Sequence, residues 1–167
     1  MSADRLAPAR SKPLYTAQQR ARRDASGWTL VQGVLAPLQF LVFLASLALV
    51  ARFLLTGEGQ MAATVSIVVK TGALYAIMVT GSIWEKVVFG RYLFAEAFFW
   101  EDVFSMLVLA LHTAYIAALV SGALDPRAQM AIALAAYAAY VINAGQFVLK
   151  LRAARLQGGF NVAEAAP

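Results

Sequence analysis

The sequence predicts an all-α membrane protein: four transmembrane helices in a bundle, with both termini cytoplasmic. Three observations lead there. Of 167 residues, 61% are hydrophobic and only 14% charged, well below the charged share of a soluble domain. The apolar residues gather into four long blocks, each near the ~20 residues that cross a bilayer core as a helix. The basic residues flank those blocks, as topology-setting charges do.

The N-terminal arm, residues 1–27, is polar and basic. Within it "TAQQRARRDAS" reads as a short interfacial helix, with Thr16 and Gln19 at capping-box spacing. Its basic face suits anionic lipid headgroups. The apolar stretch that follows is too long for a cleavable signal peptide. Residues 28–150 form the transmembrane domain, with spans at about 29–55, 61–84, 98–120 and 128–149. Pro37 lies inside the first span and is a candidate kink. "TGEGQ" and "SGALDP" are tight turns, and "EKVVFGRYLFAEA" is a longer amphipathic link. Residues 151–167 read as a cytoplasmic tail, loose after Arg155.

Orientation follows from the basic residues. Arg5, Arg10, Lys12, Arg20, Arg22 and Arg23 precede the first span, and Lys150, Arg152 and Arg155 end the last. The middle link has Lys86 and Arg91, whereas the two short turns share only Arg127. Both termini and the middle link are therefore expected in the cytoplasm. The net charge of +5 is accounted for by this flanking pattern, which points to lipid and away from nucleic acid. The absence of cysteine excludes disulfides, thiolate metal sites and cysteine nucleophiles. A single histidine excludes a His-rich metal site within one chain.

The polar residues of the spans are lopsided. Gln32, Gln39, Glu85, Glu101, Asp102, Ser105, Asn143, Gln146 and Lys150 all fall in the expected cytoplasmic half. Glu101, Ser105, Val108 and His112 recur at i, i+4, i+7 and i+11, one helical stripe. Asn143, Gln146 and Lys150 form another. Polar groups facing lipid are costly, so such stripes should face each other or a wet pocket open to the cytoplasm. Lys70 and His112 lie deeper, near the bilayer middle by helical rise.

Each residue also has a plainer reading. Glu101 and Asp102 suit the first turn of a helix. Glu85 beside Lys86 is an ordinary interfacial pair. Trp84 and Trp100 are belt aromatics, unless one stacks on a flat ligand. His112 is an interhelical hydrogen-bond donor, Lys70 snorkels or meets a carbonyl, and Asn143 and Gln146 join helices. The clustering is the stronger signal.

The runs "PLYTAQQRARRDAS", "LVQGVLAPLQFLVFL", "SIVVKTGALYAIMVTGSIWEKVVFG", "FFWEDVFSMLVLALHTAYI" and "YVINAGQFVLKLRAARL" resemble the vinyl bacteriochlorophyllide hydratase family, also called chlorophyllide 3-vinyl hydratase. The resemblance covers roughly Leu14 to Leu156. It implies a multi-pass enzyme of the bacterial inner membrane, acting in bacteriochlorophyll synthesis. That family adds water to the 3-vinyl group of a magnesium chlorin, giving a 1-hydroxyethyl group, without a redox cofactor. A dehydrogenase then makes the acetyl group.

No catalytic set comes with the resemblance, so the residues must supply it. Hydration of a conjugated alkene needs an acid, a base and an ordered water. Glu101 is expected as the acid, with Glu85 or Asp102 as the base. His112, Lys70, Asn143, Gln146, Trp84, Trp100 and Gln39 are expected to bind substrate, His112 as a candidate axial ligand to the substrate magnesium. Lys86, Arg91, Lys150 and Arg152 are candidates for a propionate. The alternative is a non-enzymatic chlorophyll-precursor carrier or assembly factor with the same pocket. A haem or quinone protein and a small transporter are poorer fits, because there is one histidine and the polarity stops halfway. Contact with other bacteriochlorophyll-pathway enzymes and a homo-oligomeric state stay open.

Overall fold

The computed structural model describes residues 13–164, with side-chain surroundings for 13–155. Among the described residues there are five helices: α1 (Ala17–Ala25), α2 (Gly27–Thr56), α3 (Gln60–Phe89), α4 (Phe99–Ser121) and α5 (Pro126–Glu164). α2, α3, α4 and the Pro126–Arg155 part of α5 are each long and apolar enough to cross a membrane. α2 and α3 have 30 residues apiece, about 45 Å of rise against a hydrocarbon core of about 30 Å.

Local chemistry sets the ends. The capping box is formed: the Gln19 N–H donates to Thr16 Oγ1 at 3.2 Å, and the Thr16 N–H donates to Gln19 Oε1 at 2.9 Å. Ser26 Oγ accepts from the Trp28 N–H and starts α2. α2 stops at Gly57 (φ 77°) and α3 at Gly90 (φ 87°), left-handed positions that suit glycine. Asp125 Oδ1 accepts from the Arg127 and Ala128 N–H groups and starts α5.

The span limits differ from the expectation in two places. α3 continues past Trp84 to Phe89, so Glu85 lies within the helix and the middle link shortens to 90–98. α5 runs on through Lys150, Arg152 and Arg155 to Glu164, where a loose tail was expected. No proline interrupts the stretch after Lys150, so the preceding helix propagates into it. Pro37 is carried inside an unbroken α2.

α2 packs on α3 and α4 on α5, making two helical hairpins. The hairpins meet along α2–α5 and α3–α4, and α1 lies against α3. The main core joins Phe43, Val50, Ile67, Val108, Met130 and Tyr137. Buried alanines at 63, 118, 133, 136 and 139 let the backbones approach, as small residues do between membrane helices. Leu41, Leu55, Val65, Val120 and Leu149 face outward, an apolar surface fit for lipid. The buried residues of α4 are Glu101, Asp102, Ser105, Val108, His112, Tyr115 and Ala118, which extends the predicted stripe.

Candidate active site

The carboxyl groups gather at the end of the bundle where α3 finishes and α4 begins. Glu85, Glu101 and Asp102 are each at most 6% exposed. Glu85 and Asp102 are in hydrogen-bond contact across the two helices. Two carboxyls facing each other so closely disfavour being charged together.

The loop between the helices holds this pair. The Phe94 N–H donates to Asp102 Oδ2 at 2.7 Å, and the next N–H, of Ala95, donates to Glu85 Oε2 at 3.2 Å. Phe94 has φ 59°, the left-handed region, which costs a non-glycine residue of order 1–3 kcal/mol. That turn aims two successive N–H groups at the two acids, an arrangement that binds anions well. Arg91 Nη1 donates to the Phe94 carbonyl at 3.2 Å and steadies the turn.

Glu101 belongs to a second group. Its Oε2 is ion-paired with Lys150 of α5, whose ammonium also donates to the Ala97 carbonyl. Glu101 and Lys150 both lie within electrostatic reach of Asp102. One turn along, Asn143 Nδ2 donates to Ser105 Oγ at 2.8 Å. Asn143 Oδ1 and Gln146 Oε1 are buried without a hydrogen-bond partner among the described residues. An aromatic cap closes this end: Tyr15 stacks on Phe89, Phe98 stacks on Phe147, and Trp84 meets Phe98 edge-on. Trp84 Nε1–H donates to Thr29 Oγ1 at 3.0 Å.

The other expected residues lie elsewhere. Trp100 is 66% exposed and meets only Phe99 among the described rings, so it faces away from the acids. Gln39 is buried on α2. His112 and Lys70 sit deeper, with Tyr137 and Tyr140 of α5. The Lys70 ammonium lies 3.7 Å from the centroid of the Tyr140 ring, and His112 and Tyr137 have ring centroids 5.9 Å apart. His112 Nδ1 lies 2.8 Å from the Val108 carbonyl. A carbonyl only accepts, so Nδ1 carries a proton, which makes Nε2 the acceptor whenever the ring is neutral. His112 Nε2 and Lys70 Nζ are buried without a hydrogen-bond partner among the described residues. Tyr137 also binds Ser46 Oγ at 2.5 Å, which reaches Ser66 Oγ at 2.7 Å.

Sequence reasoning missed Tyr137 and Tyr140. Tyr140 lies three residues before Asn143 and Tyr137 three before that, and two hydroxyl-bearing rings inside an apolar span were the available signal. It also missed Phe94, for which no residue type gives warning.

A family profile described as 2-vinyl bacteriochlorophyllide hydratase (BCHF) matches residues 15–153. The chain belongs to this family. That description names a 2-vinyl group, where the resemblance stated above names a 3-vinyl group. The 2-vinyl bacteriochlorophyllide hydratase of Rhodobacter capsulatus is 71% identical over 146 residues, covering 87% of this chain and 85% of its own. The protein of the same description from Cereibacter sphaeroides is 72% identical over 144 residues, covering 86% of this chain and 89% of its own. No solved structure matches the chain. The matched stretch includes Tyr15 of the aromatic cap and Lys150 of the ion pair, so the whole acid cluster lies within the hydratase-family region.

Proposed function

We propose that this chain hydrates the vinyl group of a magnesium chlorin, a bacteriochlorophyllide or chlorophyllide, to a 1-hydroxyethyl group in bacteriochlorophyll synthesis. The observation that carries the reading is the buried Glu85–Asp102 pair beside the Glu101–Lys150 ion pair, in a chain of a hydratase family. Alkene hydration needs an acid and a base at one place, and this cluster offers both.

The pair gives its proton to the terminal vinyl carbon. A C–H bond forms, and the adjoining carbon becomes the cation, delocalised into the macrocycle. Water oxygen forms the C–O bond there. Glu101, the anion of the ion pair, takes the released proton and returns it to the adjacent Asp102. The sequence reading had placed the acid on Glu101. Its engagement with Lys150 moves that role to the Glu85–Asp102 pair and leaves Glu101 as the base. The scheme uses no cofactor, and magnesium belongs to the substrate.

His112 and Lys70 take no part in the proton transfers of this scheme. His112 is ten residues beyond Asp102 on α4, about 15 Å of rise. One Mg–N bond of about 2.1 Å and four bonds of about 1.4 Å keep the vinyl tip within about 8 Å of the metal. The His112 side chain, its bond to the metal and the acid side chains add to that reach, so a ring ligated by His112 still brings its vinyl tip to the acids, and His112 stays the candidate axial ligand to the substrate magnesium. Trp84 and the neighbouring aromatic cap offer the ring flat walls. Lys86 and Arg91 are candidates for the propionate, since among the described residues Lys86 meets the Gly90 carbonyl and the Tyr92 ring, and Arg91 the Phe94 carbonyl, with no carboxylate on either.

Both termini and the 90–98 link are proposed to be cytoplasmic, in the bacterial inner membrane, which puts the acid cluster at the cytoplasmic end. Incubating membranes holding the protein with chlorophyllide in ¹⁸O-labelled water tests the reaction. The product should gain one labelled water in mass. Bound pigment of unchanged mass would point to the carrier reading instead.

A further inference from the structure

The hydration scheme leaves open where the attacking water is held, and the seam between α4 and α5 has two unused acceptors. The helices run antiparallel, and two rungs tie them: Glu101 to Lys150, and Ser105 to Asn143. Gln146 lies between those rungs on the α5 side, three residues from Asn143 and four from Lys150. Residues so spaced project from one face of a helix. Asn143 is 8% exposed, and both its Oδ1 and Gln146 Oε1 are shut off from solvent without a donor. Buried carbonyl oxygens without donors are uncommon and call for a reason.

We propose that Asn143 and Gln146 hold the water that adds to the vinyl group, each amide oxygen accepting one of its hydrogens. This rests on the hydratase reading and names the place of its nucleophile. The chemistry fits atom by atom. A water that donates both hydrogens to amide oxygens keeps its own lone pairs free to attack a cation. Neither amide carries charge, so neither competes with Glu101 for the proton before the C–O bond forms. As the C–O bond closes, the hydrogen held by Gln146 Oε1 turns to Glu101, which stands at the next rung and takes that proton. The other face of Asn143 is fixed, because its Nδ2 is committed to Ser105 Oγ. That commitment points Oδ1 away from the Ser105 rung. A buried water ordinarily needs two to four polar partners, and the two oxygens meet the lower limit before substrate arrives.

A plain structural water, or amides that bind the ring, would occupy the same atoms, so the test separates these. Full-length protein in membranes is given chlorophyllide in water–methanol mixtures, with Gln146→Leu, Asn143→Leu and the acceptor-retaining Gln146→Glu compared. Methanol is the rival nucleophile, and its addition gives a methyl ether told by mass. The expected result is a fall in kcat of about ten- to a hundredfold in the Leu variants, with KM within about twofold. The share of methyl ether should rise, because water has lost its holder, and Gln146→Glu should recover the wild-type share. Unchanged kcat and unchanged ether share in both Leu variants would overturn the proposal. So would a raised KM with kcat intact, which assigns the amides to the ring. The ether share is read among product molecules, so it reports even on a poorly accumulating variant. The underlying hydratase reading fails by a different result: Glu85→Gln and Asp102→Asn proteins that hydrate at the wild-type rate.

Discussion

Glu85 and Asp102 touch through their carboxyl groups across the seam between α3 and α4, and consecutive backbone N–H groups hold them from one side. If this pair supplies the proton, neutral isosteres should stop the chemistry and spare binding. Glu85→Gln and Asp102→Asn are expected to lower kcat by at least about a hundredfold, in the range of lost general acid–base catalysis. Retained pigment binding, followed by absorbance, checks that the fold survives. Wild-type turnover in both variants would remove the pair from the mechanism.

Lys150 is tied to Glu101 and to the Ala97 carbonyl. Replacing it by methionine keeps its length and leaves a buried carboxylate alone, which is the costly half of breaking an ion pair. Thermal unfolding in detergent should show a loss of about 1–3 kcal/mol, discounted because the Lys150 side chain is 27% exposed. The double variant with Glu101→Gln should lose less than the two singles added together. Strict additivity would show that the pair contributes little.

Phe94 carries φ 59°, so backbone tolerance rather than ring size should govern substitutions there. Phe94→Gly and Phe94→Asn suit the left-handed region and are expected to keep turnover within a few fold of wild type. Phe94→Val, β-branched, should lose both turnover and stability. A ranking that follows the size of the apolar side chain would mean that the contact of its ring with Phe99 matters instead.

Lys70 is fully buried, its ammonium over the Tyr140 ring and within electrostatic reach of His112. An apolar side chain of similar length removes an ionisable group that lacks an acceptor among the described residues. Lys70→Met should therefore raise the unfolding midpoint, by the logic of buried charges replaced with hydrocarbon. The kcat should stay near wild type, because Lys70 is fifteen residues from Glu85 on α3, about 22 Å of rise from the acids. A marked rise in KM would assign Lys70 to the substrate site.

The chain has no cysteine, so single thiols can report topology. Ala123→Cys, in the turn between α4 and α5, should react in whole cells with a membrane-impermeant maleimide once the outer membrane is opened. Ala153→Cys should react only after the inner membrane is broken. The reverse pattern would invert the orientation argued from the basic residues.

The four spans were legible because hydrocarbon length is a blunt requirement that the sequence meets four times. The α4 stripe from Glu101 to His112 was legible for a similar reason, since helical geometry fixes which residues share a face. Partners were harder to read. Periodicity put Glu101 and Glu85 at one membrane level, but only the docking of α5 onto α4 gave Glu101 to Lys150 and left Asp102 for Glu85. Trp100 follows the same lesson: a tryptophan beside two acids has the composition of a site, yet the next 100° turn of the helix carries it outward. The left-handed Phe94 is the extreme case, because its conformation comes from the carboxyls it serves and not from its own preference.

The division into two hairpins has a consequence for biogenesis. Glu85 arrives with α2 and α3, whereas Asp102, Glu101 and Lys150 arrive with α4 and α5. A ribosome releasing this protein thus delivers a first half without the cluster, and the four groups come together only when the second half docks in the bilayer. Two genes cut within residues 90–98 and expressed together should accordingly complement one another, while either alone stays silent.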